Sequence, residues 1–131
     1  NEQGSSTGSS EIPYETYSYW TDINTKDKVP VYSKPMYTVD KFIYALDLGG
    51  DADSFLSDVE CHNGKVYLLD GGLGKIYILD DNYQLSAVID CVFQDGKQLS
   101  FAGAKGLYID INGYIYIADT SNQRVIVCDM N

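Results

Sequence analysis

The strongest constraint on the fold of this chain is an internal repeat with an offset of 49 residues. Residues 63–80 read NGKVYLLDGGLGKIYILD, and residues 112–129 read NGYIYIADTSNQRVIVCD. Five residues recur identically, namely Asn63, Gly64, Tyr67, Asp70 and Asp80 as Asn112, Gly113, Tyr116, Asp119 and Asp129. Ahead of each copy the match continues with one residue of slippage, since Val59 and Cys61 match Leu107 and Ile109. The chain therefore contains a duplicated structural unit.

The residues of each unit predict antiparallel strands. Asn-Gly between apolar β-formers is a strong hairpin signal, because both central residues of a type I′ turn need positive φ. In the second copy we expect Lys105–Asp110 to pair with Tyr114–Asp119 across such a turn. A second turn at Asp119–Asn122 then leads into a strand at Arg124–Asp129.

The first copy follows the same plan and adds a fourth strand. Asp70–Gly74 makes its second turn with several glycines, and Gln84–Phe93 (QLSAVIDCVF) is expected to be the fourth strand. Four short antiparallel strands at this repeat length describe one blade of a β-propeller. Since no segment shows helical periodicity, we predict an all-β chain.

Residues 101–129, FAGAKGLYIDINGYIYIADTSNQRVIVCD, resemble an NHL repeat, in which an apolar-Gly-apolar strand precedes a core of the form dG.iyvaDt.N.rI.v.d. The matching positions are Gly106, Asp110, Gly113, Tyr116, Asp119, Asn122, Arg124 and Asp129. The first copy keeps Gly64, Tyr67, Asp70 and Asp80, has Lys75 in the Arg position and lacks the Asn. The YETYSYW and FIYALDL segments ahead of it resemble the N-terminus of exported NHL-repeat proteins of Gram-positive gut bacteria. The resemblance implies about two four-stranded NHL-type blades, a partial propeller, behind an extended N-terminal leader.

This organisation predicts three regions. Residues 1–12 form a polar Gly/Ser-rich linker that we expect to be disordered, and residues 13–50 form a Tyr-rich leader with an edge strand at Lys41–Leu48. Residues 51–131 hold the two blades, 51–97 and 98–131, the second of them incomplete. The polar opening is typical of a mature exported protein, so the expected location is extracytoplasmic, secreted or at the cell surface.

Composition excludes some function classes. Nine Lys and Arg against nineteen Asp and Glu give a net charge of -10. Without a Lys/Arg cluster such a surface repels a phosphate backbone, so we expect no nucleic-acid partner. Hydrophobic residues make up 44% of the chain, which argues against global disorder.

The polar residues of the repeat are predicted to build turns. An Asp that ends a strand can accept N–H groups of the next turn, Asn tolerates the left-handed conformation, and Arg124 can pair with a nearby carboxylate. Because the NHL pattern repeats Asp119, Asn122 and Arg124 in every blade, we assign them a structural role. The structural motif comprises Asn63, Gly64, Tyr67, Asp70, Asp80, Asn112, Gly113, Tyr116, Asp119, Asn122, Arg124 and Asp129.

No residue is predicted to be catalytic or to bind a metal or cofactor. Asp110 to Asp119 almost trace a calcium loop, but Tyr108 occupies the first ligand position. A looser acidic group is expected to be a solvated loop, with a bound calcium ion as the alternative; it comprises Asp47, Asp51, Asp53 and Asp58. His62, the single histidine, is expected on the surface beside its turn. Cys61, Cys91 and Cys128 are expected to be buried free thiols, with one disulfide and a spare thiol as the alternative.

The leader carries a candidate aromatic patch, made of Tyr14, Tyr17, Tyr19 and Trp20. An exposed patch of this kind stacks on sugars or anchors a protein partner, whereas packing against the side of the propeller is the alternative.

The resemblance favours a non-catalytic binding or scaffold module that contacts proteins or glycans. The alternative is part of a metal-dependent propeller enzyme, lactonase- or lyase-like, completed by further blades. Closed propellers have about 4–8 blades, so two blades leave open faces and edges. Either the chain is a fragment of a longer protein or copies self-associate, with the Lys41–Leu48 strand of one chain completing the last blade of the next. Three chains would then close a six-bladed ring.

Overall fold

The structure, a computed structural model, describes residues 36–129 in full and residues 18–21 and 29–32 as backbone. The chain divides into two compact units at Phe42 and Ile43. In the first unit, β1 (Ser18–Thr21) pairs antiparallel with β2 (Val29–Tyr32). The predicted linker 1–12 lies outside the described residues, as do Tyr14 and Tyr17. Tyr19 and Trp20 lie in β1, of which only the backbone is described.

The second unit contains three antiparallel sheets, so the all-β prediction is confirmed. The first repeat sheet is a meander of four strands in sequence order: β3 (Leu56–His62), β4 (Lys65–Asp70), β5 (Lys75–Leu79) and β6 (Leu85–Ile89). A small hairpin follows, made of β7 (Val92–Gln94) and β8 (Lys97–Leu99). The second repeat sheet is a meander of three strands, with β10 between the other two: β9 (Gly106–Ile109), β10 (Ile115–Asp119) and β11 (Arg124–Cys128). The unit also has two short 3₁₀ helices, Ala45–Leu48 and Thr120–Asn122.

The two Asn-Gly hairpins differ by one loop residue. Asn63 (φ 50°) and Gly64 (φ 76°) form the predicted two-residue turn between the paired residues His62 and Lys65. In the second copy, Gly113 alone of the Asn-Gly pair has positive φ (90°), and its N–H donates to the Asp110 carbonyl. This is a three-residue loop with a left-handed glycine, not the expected two-residue turn. The extra residue accounts for the slippage ahead of the second copy.

Two expected strands differ from the structure. Lys41–Leu48 is not an edge strand, because Ala45–Leu48 is a 3₁₀ helix closed by Gly49 (φ 97°) and by the Gly50 N–H bonded to the Ala45 carbonyl. The expected strand Gln84–Phe93 ends at Ile89. The residues after it form the β7–β8 hairpin, which turns at Asp95 (φ 50°) and Gly96 (φ 78°). That Asp-Gly signal is as strong as the two Asn-Gly signals, and it outweighs continuation of the strand.

The main core lies between the two repeat sheets. One face of the first repeat sheet contributes Tyr67, Leu69, Ile76 and Ile78, and the second contributes Leu107, Ile109, Ile115 and Ile117, with Phe101 and Ala104 from the segment ahead of β9. A smaller cluster covers part of the opposite face of the first repeat sheet, where Ile43 and Leu48 pack on Val66, Leu68, Tyr77 and Leu79.

Polar contacts fix the register between the sheets. The Asp58 carboxylate accepts the Leu107 N–H at 2.7 Å, and the Gly71 carbonyl accepts the Gly103 N–H at 2.6 Å. The Ser57 hydroxyl donates to the Ala104 carbonyl at 3.2 Å. Asp58 therefore holds the repeats together in β3 and is not part of a solvated loop.

Candidate functional site

The loops of the two Asn-Gly hairpins lie side by side and line one open cleft. Its volume is about 420 Å³, within the range of about 300–1,000 Å³ that small-ligand sites occupy. The first repeat contributes His62, Asn63, Lys65 and Tyr67, and the second contributes Asn112, Gly113, Tyr114 and Asp129. The repeat places these residues together, because both hairpins project from the same end of packed sheets.

His62 lies at the boundary between the two hairpins. Its ring packs edge-on against Tyr67, with the ring centroids 6.5 Å apart and an angle of 66° between the planes. A β-carbon added at Gly113 would lie 3.9 Å from His62 Nε2, so the imidazole also borders the second hairpin. Where the sequence predicted a surface histidine beside a turn, the structure has a half-buried one between two turns.

The other groups of the cleft supply both donors and acceptors. Asn63 and Asn112 carry amides, Lys65 an ammonium group and Asp129 a carboxylate. Tyr114 is 43% exposed and offers an aromatic face. Burial raises the pKa of Tyr67, which lies in the wall of the cleft. An exposed ring beside amide and charged groups suits a hydroxyl-rich ligand or a polar loop of another protein.

Sequence reasoning missed most of this site. It assigned Asn63, Tyr67, Asn112, Gly113 and Asp129 to the structural motif, and it did not single out Lys65 or Tyr114. The available signal was that both repeats carry the same hairpin, so their loops fall on one side of the stacked unit.

Asp70 organises the turn that follows β4. Its side chain is fully buried. Oδ1 accepts N–H groups from Phe55 at 2.9 Å and from Gly72 and Leu73 at 3.1 Å, and Oδ2 accepts the Tyr77 hydroxyl at 2.7 Å. Burial alone would raise the pKa of Asp70, but these donors stabilise the carboxylate and hold the pKa below its ordinary value.

Asp119, the equivalent residue of the second repeat, is equally buried but has different partners. Its Oδ2 accepts Asn122 Nδ2 at 3.0 Å and Arg124 Nε at 2.8 Å, whereas its buried Oδ1 has no partner. The left-handed residue of this turn is Gln123 (φ 54°), not Asn122. Asn122 in the turn and Arg124 at the start of β11 therefore both bond to the Asp119 carboxylate.

Two more aspartates of the repeat have carboxylates engaged by their own loops. Asp80 Oδ1 accepts the N–H groups of Asn82 and Gln84, both at 2.9 Å. Asp110 Oδ1 accepts those of Asn112 and Tyr114, and its Oδ2 accepts the Tyr116 hydroxyl at 3.1 Å. The Asp110 hydrogen bond raises the pKa of Tyr116. The residues that traced a calcium loop therefore build the hairpin loop.

Metal-ligating side chains are dispersed in the part of the chain that the structure describes. Within residues 36–129, no group of three or more His, Cys, Asp or Glu side chains could hold a metal ion. All three cysteines are free; Cys61 is exposed, contrary to the expected burial, and the other two are half-buried. Cys91 and Cys128 line a second pocket of about 390 Å³.

The Tyr77 pair with Asp70 predicts a loss of stability in alkali. Burial and the Asp70 hydrogen bond raise the pKa of Tyr77 to about 12, whereas an unfolded chain titrates near pH 10. The pKa is higher in the folded state, so this stabilisation is complete below about pH 10 and is lost as the pH rises towards 12. Denaturant unfolding at several pH values between 8 and 12 measures the free energy of unfolding. We expect it to fall with pH in the native chain and to fall less in Tyr77→Phe. Equal slopes for both proteins would contradict the assignment.

No protein-family model, curated protein or solved structure matches this chain. Among the described residues, no helix has the length and apolar character needed to cross a membrane.

Proposed function

We propose that this chain is a non-catalytic binding or scaffold module of β-propeller type, built from NHL-like blades, that acts outside the cytoplasm and contacts glycans or proteins. The observation that carries the proposal is the cleft between the hairpins. It is assembled jointly by two repeats and combines an exposed tyrosine ring with amide, ammonium and carboxylate groups.

The chemistry of the cleft favours a hydroxylated ligand. Tyr114 offers a ring face on which the apolar side of a sugar stacks. Asn63 and Asn112 each offer both a donor and an acceptor, which matches the mixed character of sugar hydroxyls. Lys65 and Asp129 add one charge of each sign, so the cleft does not select strongly for an anion or a cation.

The test is a titration of the ¹⁵N-labelled chain with galactose, mannose and N-acetylglucosamine, followed by amide chemical shifts. We expect saturable shifts at His62–Lys65 and Asn112–Tyr114, and we expect Tyr114→Ala to weaken binding about tenfold by removing roughly 1.4 kcal/mol of stacking. Tyr83→Ala is the matched control, because Tyr83 is also 43% exposed but does not line the cleft.

If the sugars cause no chemical-shift changes, or if Tyr114→Ala and Tyr83→Ala weaken binding equally, the cleft is not a glycan site. Turnover of a lactone by the chain with added Ca²⁺ would support the enzyme alternative in place of a binding module.

A further inference from the structure

One face of the second repeat sheet is apolar and open, although the same face of the first repeat sheet is buried. In the first repeat this face carries Tyr67, Leu69, Ile76 and Ile78, none more than 6% exposed. With the 49-residue offset, their equivalents are Tyr116, Ala118, Val125 and Val127. Val125 is 61% and Val127 55% exposed, and Tyr108 beside them is 57% exposed. We call these five residues, 108, 116, 118, 125 and 127, the leading face.

The structure also shows what covers such a face. In the first repeat it is covered by the opposite face of the next repeat, through Leu107, Ile109, Ile115 and Ile117. The equivalents of these four in the first repeat are Val59, Cys61, Val66 and Leu68. Val66 and Leu68 pack with the small cluster under Ile43 and Leu48. Val59 remains 55% exposed and Cys61 is also exposed; these two residues form the trailing strip.

We propose that the leading face of one chain docks on the trailing strip of a second copy, repeating the contact that the two repeats make within the chain. Tyr116 would then pack with Val59 and Cys61 in one apolar cluster, as Tyr67 packs in one cluster with Leu107 and Ile109. Neither surface contains a charged residue. Although the chain has a net charge of -10, the contact therefore brings no like charges directly together. Because the two surfaces differ, the contact is heterologous and chains add head to tail.

The contact between copies is weaker than the contact between repeats. Within the chain, the Asp58 carboxylate of the first repeat accepts a hydrogen bond from the Leu107 N–H of the second. The residue equivalent to Asp58 in the second repeat is Gly106, which has no carboxylate to offer to the next copy. Association therefore rests on apolar packing and is expected to depend on concentration.

Light scattering on the full 131-residue chain over a range of concentrations tests the proposal. The wild-type mass is expected to rise with concentration. Val127→Lys on the leading face and Val59→Lys on the trailing strip should each keep the chain monomeric, because a charge in an apolar contact is costly. Ile111→Lys is the matched control: Ile111 is 93% exposed in a hairpin loop outside both surfaces, and this variant should associate like the wild type.

Mixing the two monomeric variants gives the sharper result. Val127→Lys keeps its trailing strip and Val59→Lys keeps its leading face, so an equimolar mixture should form a one-to-one dimer and stop there. Thermal melts by circular dichroism establish that both variants are folded, and Val125→Lys replaces Val127→Lys if the latter is not.

Three outcomes would overturn the proposal. A wild-type chain that stays monomeric at every concentration would show that the leading face does not bind a second copy. Association of Val59→Lys at wild-type strength would mean that leading faces meet each other. A mixture that stays monomeric would exclude the head-to-tail contact. None of these results bears on sugar binding in the cleft, so the two proposals fail separately.

Discussion

Asp70→Ala is expected to lower the free energy of unfolding by about 3–5 kcal/mol, because it removes an acceptor that serves four donors in a buried turn. The N–H groups of Phe55, Gly72 and Leu73 and the hydroxyl of Tyr77 would lose their shared partner. Urea denaturation followed by circular dichroism measures the loss.

The stability of the chain in acid should depend on the same carboxylate. The pKa of Asp70 is lowered in the folded state, so its contribution to stability is present above about pH 4 and is lost as the pH falls through the folded-state value. The native chain should therefore lose stability in acid more steeply than Asp70→Ala does.

Asp119→Ala is the matched control for this prediction. Asp119 is equally buried, but it accepts only two side-chain donors, and one of them belongs to Arg124, whose side chain is 42% exposed and can return to water. We expect a loss of about 1 kcal/mol. Equal losses for the two variants would show that burial of the carboxylate, and not the number of its donors, sets the stability.

The repeated segments are where the sequence predicted the structure well. Around Asn63-Gly64 and Asn112-Gly113, local alternation and turn residues favour the same hairpin that tertiary packing favours, so β4, β5, β10 and β11 lie where the offset placed them. Loop length was harder to predict: Asp110 accepts two N–H groups of its own loop, and this stabilises a three-residue connection where Asn-Gly alone predicts two.

Features that depend on packing between sheets could not be predicted from local pattern. Asp58 lies among other acidic residues in the sequence, and its bond to Leu107, 49 residues away, exists only after the repeats stack. The cleft has the same origin, since His62 meets the second hairpin only when both sheets are in place. The expected strand Lys41–Leu48 contains the β-forming run Phe-Ile-Tyr, but Ala45–Leu48 after it forms a 3₁₀ helix that ends at Gly49.

Gly71→Ala is expected to disrupt the contact between the repeats directly. A β-carbon at this position would lie 2.1 Å from the Ala104 carbonyl oxygen and 3.0 Å from Ser57 Oγ. The first neighbour is backbone and cannot rotate away, so the segment ahead of β9 must move. The move strains the bond from the Gly103 N–H to the Gly71 carbonyl. We expect a loss of about 3 kcal/mol in unfolding free energy, typical of overpacking in a tight contact.

Hydrogen exchange separates this local effect from a general loss of stability. In Gly71→Ala the Gly103 and Leu107 amides, which bond across the repeats, should exchange faster by a larger factor than the amides between β4 and β5. Gly96→Ala is the control, because Gly96 also lies in a turn (φ 78°) but an added β-carbon there meets nothing within 4 Å. It should cost only about 1 kcal/mol, from the left-handed backbone. A Gly71→Ala loss no larger than this would mean that the repeats adjust freely against each other, and that the close approach at Gly71 does not determine how they stack.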